Sequence, residues 1–162
     1  MRLDHNAPHD PDRDLIFTRV VAAPRARLWA GWTKPAMLMQ WFCPAPWSVV
    51  ACEIDLRPGG IFATTMRSPE GQEFPNVGCF LEVIPQERLV WTDALGPGYR
   101  PTDNPFMTGI ISLRDVPGGT EYSARVVHRD PATRIKHEEM GFLSGWGTAL
   151  DQLVALIARE HA

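Results

Sequence analysis

The sequence predicts an α+β fold in which a curved antiparallel sheet wraps a long C-terminal helix. Three observations carry this. From Trp47 to His128 the chain reads as short alternating apolar–polar segments, rich in β-branched and aromatic residues and separated by Gly/Pro turns. Only two short helical stretches, between Pro24 and Phe42, interrupt the strands, and they follow the first one directly. The chain then closes on one long amphipathic stretch, Lys136 to Glu160, which cannot leave its apolar stripe in water.

Taken in order, residues 1–13 are polar and broken by prolines, and are expected to form a loose tail. His5 and His9 lie there with Pro8 between them, which argues for solvated side chains rather than a metal pair. Asp14 to Ala22 alternates as a first strand. Pro24 suits the first position of a helix through Trp32, and Thr33 and Pro35 start a second from Pro35 to Phe42. These helices carry Trp29, Trp32, Trp41 and Phe42, a set of aromatics suited to plug the underside of a sheet. Six further strands are expected at 47–56, 61–67, 77–84, 88–93, 106–115 and 120–128. Short connections such as Arg57-Pro58-Gly59-Gly60 and Pro117-Gly118-Gly119 make them an antiparallel meander, with one longer loop at 94–104. This order of elements is the helix-grip arrangement, and a twisted, curling sheet leaves space beneath the helix.

In the final helix, Leu143, Trp146, Leu150, Leu153 and Ile157 fall within a narrow arc, widened by Phe142, Val154 and Leu156. Gly141, Gly145 and Gly147 each cost about 1 kcal/mol of helix stability relative to alanine. Gly147 is expected on the apolar face, where a missing side chain means close backbone approach or room beside Trp146 for something else.

The chain has 162 residues, enough for one domain over 14–162 with a substantial core. A net charge of −3 without long basic runs argues against nucleic acid as a partner. No apolar run approaches the ~20 residues of a membrane span. Cys43, Cys52 and Cys79 are flanked by apolar residues and lack metal-ligand spacing, so free thiols in a reducing cytoplasm are expected.

Motifs that carry chemistry are few. No phosphate-cradling glycine loop follows a strand, and no serine sits in a nucleophile elbow. His137-Glu138-Glu139 reads as the opening of the long helix, with two acids near its N-terminus. The position four after His137 is Gly141, so no metal and no cofactor are expected. Asp55 and Arg57 bracket a turn and are expected to pair across it. On the last strand Tyr122, Ala124, Val126 and His128 share one face, read as the inner one. His128 is thereby the one candidate acid or base, although a bond to a neighbouring backbone group is its simpler role. A ligand cavity is expected to draw on Trp41, Trp47, Phe62, Met66, Trp91, Met107, Tyr122, His128 and Trp146. Tyr99 and Arg100, on the longest loop, are placed to cover its mouth.

Several stretches resemble one family. They are Pro24…Leu28-Trp29…Thr33-Lys34-Pro35…Gln40-Trp41-Phe42, then Asp55-Leu56-Arg57-Pro58-Gly59-Gly60 and Met66-Arg67-Ser68-Pro69-Glu70-Gly71. Phe80…Ile84-Pro85…Arg88-Leu89-Val90-Trp91-Thr92 and Gly145-Trp146…Leu150…Leu153 continue the series. Together they are similar to the START-like (SRPBCC) superfamily, in its branch of homologues of the heat-shock-protein-ninety ATPase activator. The resemblance implies a helix-grip fold around a hydrophobic cavity. The chaperone activators of that branch carry an additional N-terminal domain, whereas only a short tail precedes the first strand here. Three functions follow as expectations. First is a non-enzymatic binder of a small lipid-like or aromatic molecule. Second is a cyclase or hydrolase acting in the same cavity, and third a chaperone-associated interaction protein. A homodimer through a sheet edge or the long helix fits any of them.

Overall fold

The structure, a computed structural model, describes residues 9–103 and 105–160. Its centre is a seven-stranded antiparallel sheet in the order β1-β9-β8-β5-β4-β3-β2. The strands are β1 (Asp14–Val21), β2 (Ser48–Ile54), β3 (Ile61–Arg67), β4 (Glu73–Ile84), β5 (Arg88–Thr92), β8 (Thr108–Val116) and β9 (Gly119–Val127). From β2 onward each strand pairs with the next in this series, as short hairpin connections require, and β1 closes against β9. Helices α1 (Arg25–Thr33) and α2 (Pro35–Leu38) follow β1, and α3 (Pro131–Glu139) and α4 (Phe142–Glu160) complete the chain. The helix-grip fold expected from the element order is therefore present.

Alternation along each strand decides what faces the core. On β9, Thr120, Tyr122, Ala124 and Val126 are all 2% exposed or less, while their neighbours face outward. Helix α4 returns the other half of the core: Leu150, Leu153, Leu156 and Ile157 are buried against the sheet and α1. Arg19 of β1 reaches across to Asp151 (2.6 Å), and Gln152 donates to the carbonyls of Trp41 (2.9 Å) and Cys43 (2.8 Å). The stripe thus sits on the sheet, and its polar margins tie the helix to β1 and to the segment after α2.

Five departures from the sequence-based expectation stand out. The expected single helix over 136–160 is two helices bent by 57°. Asp130 caps α3, its carboxylate accepting from the Thr133 N–H (2.8 Å), and Pro131 takes the first position. Gly141, at φ +91°, ends that helix in the left-handed region and reorients the chain. His137, Glu138 and Glu139 consequently close α3 instead of opening α4. Secondly, Phe142 takes the inward place in the first turn of α4, and Leu143 is 63% exposed. Thirdly, β4 begins at Glu73 despite Pro75. Residues 73–78 pair with β3 only, since β5 meets β4 from Cys79 onward, so the side that lacks a donor at Pro75 faces no strand. A short pair, β6 (Leu95–Gly96) with β7 (Arg100–Pro101), also folds within the long loop. Lastly, residues 9–13 of the expected tail form a turn. Asp10 accepts from the Asp14 N–H (2.8 Å), and the Arg13 carbonyl accepts from the His128 N–H (3.0 Å). Residues 1–8, His5 among them, lie outside the described residues.

A Cβ at Gly141 would meet nothing within 4 Å, so Gly141→Ala tests backbone conformation alone. It is expected to lower stability by about 1–2 kcal/mol, read from the urea midpoint, because the left-handed region is unfavourable for any residue with a Cβ.

Candidate functional site

Between the concave face of the sheet and the α3–α4 bend lies a cavity of about 680 Å³, within the range that holds a small ligand. Its depth is set by aromatic packing. Trp32 of α1 stands 5.1 Å from Trp41 and 5.0 Å from Trp91, ring centre to ring centre. Phe62 stacks on Phe80 at 5.1 Å and meets Phe42 edge-on at 6.0 Å. These large rings fill the closed end and prop α1 and α2 away from the strands. On β8, Gly109 leaves room for Trp91: a Cβ there would lie 2.5 Å from the indole.

Trp41, Trp47, Phe62, Met66, Trp91, Met107, Tyr122 and Trp146, singled out from the sequence, all line this cavity. His128 does not. It is 3% exposed and lies behind the wall, so its expected place among the cavity residues is corrected. Trp32, Phe42, Phe106, His137 and Phe142 line the cavity without having been proposed for it. Of the two alternatives at Gly147, close approach is the one present: a Cβ there would lie 2.9 Å from an Arg19 guanidinium nitrogen on β1. Gly141 and Gly145 are the helix-end glycines that border the cavity. Tyr99 lies over Gly59 at another surface depression and takes no part in the wall. Asp55 and Arg57 pair at 2.8 Å beside that turn, as expected.

The polar side chains of the wall include Thr64, Asn76 and Thr92, and three further groups have surroundings that bear on ligand chemistry. The Tyr122 hydroxyl accepts from the Trp32 indole N–H at 3.0 Å, and burial pushes its pKa up, so it stays un-ionised. Its own proton remains available to donate. Next, Asp93 at the end of β5 is occupied, accepting the N–H groups of Phe106 (2.8 Å) and Met107 (3.0 Å) at one oxygen. The third is His137 on α3, between Phe106 (4.9 Å) and Phe142 (5.2 Å). Its Nδ1 lies 2.9 Å from Nε2 of His128, whose Nδ1 lies 2.8 Å from the Arg13 carbonyl. A carbonyl only accepts, so His128 carries its proton on Nδ1 and donates there. In the neutral pair its Nε2 then accepts from the His137 Nδ1–H. Burial, and after it the neighbouring His128, hold the pKa of His137 down to about 4. Asp130-Pro131 as a helix start and Gly141 as a helix stop were the signals that place His137 in a last turn, facing the sheet.

The thiols Cys43, Cys52 and Cys79 are free, and burial raises their pKa values, that of Cys43 beside the cavity to about 11, which leaves an inert thiol. Among the described residues no three His, Cys, Asp or Glu side chains gather as metal ligands. No helix there is by itself long and apolar enough to cross a membrane.

A curved sheet gripping a long helix over an aromatic-lined cavity defines the helix-grip class. Residues 22–158 match the family described as Activator of Hsp90 ATPase homolog 1-like protein, and the chain belongs to it. A crystal structure of a protein from Nitrosomonas europaea superposes with a TM-score of 0.92 at 48% identity, over 94% of this chain and 99% of that one. A protein from Rhodobacter sphaeroides gives 0.81 at 24% identity, over 94% and 97%. An AHSA1-like protein from Aeromonas hydrophila gives 0.67 at 18% identity, over 91% and 94%. The last two show the shared fold alone. No curated protein matches the chain.

Tyr122→Phe strands the buried Trp32 N–H and is expected to cost about 1–3 kcal/mol in denaturant unfolding. His137 gives the protein an acid-sensitive window. Below the ordinary histidine pKa of 6.5 the unfolded chain takes up a proton that the native His137 refuses until about pH 4. Stability should therefore fall as pH drops through that interval, by up to about 3 kcal/mol from this residue, and level off below it. Urea midpoints across the interval should lose part of this slope in His137→Phe.

Proposed function

We propose that this protein is a non-enzymatic binder of one small, largely apolar molecule held between the sheet and the α3–α4 bend. The observation that carries the reading is the wall itself. Tryptophan, phenylalanine and methionine side chains surround about 680 Å³ of space, with few polar groups among them. Such a surface favours a flat or flexible hydrocarbon-rich ligand through burial, and its few polar atoms serve to orient it. The polar groups that do face the space do not form a nucleophile–base pair. Tyr122 is held un-ionised, the Cys43 thiol is kept protonated, and burial makes His137 a weak base, while His128, behind the wall, spends both ring nitrogens on protein partners. This favours binding over the cyclase or hydrolase alternative. The free thiols of Cys43, Cys52 and Cys79 are in keeping with a cytoplasmic setting.

Native mass spectrometry of the protein purified from its own host, followed by denaturing extraction, tests the proposal. The expected result is a one-to-one apolar adduct released on unfolding. Gly145→Leu supplies the control. The nearest atom to a Cβ there is on Pro44 at 4.0 Å, so the new side chain has room to occupy cavity space, and leucine is the better helix former. That variant should keep its thermal stability and lose the adduct. A wild-type protein that carries no adduct and takes up no naphthalene from saturated solution would overturn the reading.

A further inference from the structure

We infer that the ligand presents a neutral hydroxyl-type hydrogen-bond donor to Nε2 of His137, so that the cavity selects phenols and alcohols over carboxylates of the same shape. This rests on the binding role proposed above and names the chemistry of its ligand.

The order of protons is set from a backbone carbonyl outside the cavity. The Arg13 carbonyl accepts at 2.8 Å from Nδ1 of His128, which leaves Nε2 of the neutral ring as a lone pair. That lone pair is met at 2.9 Å by Nδ1 of His137, which must donate. With its one proton committed at Nδ1, neutral His137 holds a lone pair at Nε2, the opposite corner of the ring. Among the described residues no protein group is paired with that nitrogen, and it is not among the side-chain atoms sealed from solvent without a partner. The ring is 8% exposed and forms part of the cavity wall. A chain of two buried histidines thus fixes an acceptor at the cavity surface. The order of protons is imposed from the far end, by a group that can only accept.

The charge of the wall points the same way. Among the described residues it includes the carboxylate of Asp93 and no lysine or arginine. A carboxylate ligand would enter an apolar space without a cation, beside an existing negative charge, and would face a second lone pair at His137. A hydroxyl meets none of these costs. It donates to His137 Nε2, and a ligand of suitable length also has the free Tyr122 O–H as donor to an acceptor of its own. Neutral His137 is a poor base at neutral pH, so the contact orients the ligand and does not ionise it.

Three two-ring probes of one shape separate the possibilities: naphthalene, naphthol and naphthoate. Each is titrated into the full-length protein at about pH 8, where histidines of ordinary pKa are neutral, with tryptophan fluorescence as the readout. Naphthol is expected to bind roughly tenfold more tightly than naphthalene, the worth of one good hydrogen bond, and naphthoate more weakly than either. In His137→Phe the ratio of naphthol to naphthalene affinity should fall to about one. A measurement on the wild type avoids dependence on that variant's folding. Imidazole nitrogen-15 spectra should show His137 as the Nδ1–H tautomer, with its Nε2 resonance moving on addition of naphthol. Equal affinity for the three probes, tightest binding of naphthoate, or an Nε2–H tautomer would overturn this inference while leaving the apolar binding role intact. Failure of all three to bind would remove the binding role and the inference together.

Discussion

The structure depends on one packing constraint: the apolar stripe of α4 must be buried, and it is buried against the concave face of a curled sheet and against α1. Leu150, Leu153, Leu156 and Ile157 meet that constraint along one half of the sheet. Over the other half the large rings of Trp32, Trp41, Phe62 and Trp91 stand between the layers, so contact there is made with bulky side chains and the two layers cannot collapse together. The cavity is what remains where the bend at Gly141 turns the chain away. Stability and an internal space therefore come from the same arrangement: the well-packed end of α4 anchors the helix, and the aromatic end holds it off the sheet.

A second level of order is polar. The last strand, the turn before β1 and the end of α3 meet through Arg13, His128 and His137. Asp14, almost fully buried, is ion-paired with Arg125 at 2.8 Å and accepts from the Asp10 N–H at 3.1 Å, which holds that turn against the sheet. The N-terminal turn is thus coupled to the cavity wall. It supplies the carbonyl that dictates where the protons sit on two histidines, and so decides whether the wall offers a donor or an acceptor. Buried polar chains of this kind are costly unless each member is satisfied, and of the four ring nitrogens of His128 and His137 the one without a partner among the described residues is Nε2 of His137. Membership of the Activator of Hsp90 ATPase homolog 1-like family gives the fold and leaves the site to be argued from these side chains.

Most of the architecture was legible in the sequence because it is written in periodicity. Alternation located the seven main strands, and helical spacing located the inner face of α4 from Trp146 onward. Phe62, Met66, Trp91 and Tyr122 border the cavity because in-or-out assignment on a strand follows from alternation once the concave side is known; Trp41, Trp47, Met107 and Trp146 also border it, from positions that alternation does not govern. The bend was misread because the apolar run continues on both sides of it. The Asp130-Pro131 start and the Gly141 stop are local signals of one or two residues, easily outvoted by a long periodic pattern. Leu143 is in phase with Trp146 and Leu150 within α4 itself, but Phe142 takes the inward place in the first turn, which spacing alone does not decide.

By itself, then, the sequence determined the order of elements, the antiparallel pairing of neighbours and which side chains turn inward. All of these follow from local dihedral preference and the need to bury apolar surface. Only the tertiary structure decided that His128 lies behind the wall and His137 in it, that Gly147 is closed by Arg19, and that a carbonyl from the N-terminal turn orders the histidine protons. Those relations join residues as far apart as Arg13 and His137, or Arg19 and Gly147. No local pattern encodes such a meeting, because it exists only once the sheet has closed β1 onto β9 and brought both ends of the chain to one place.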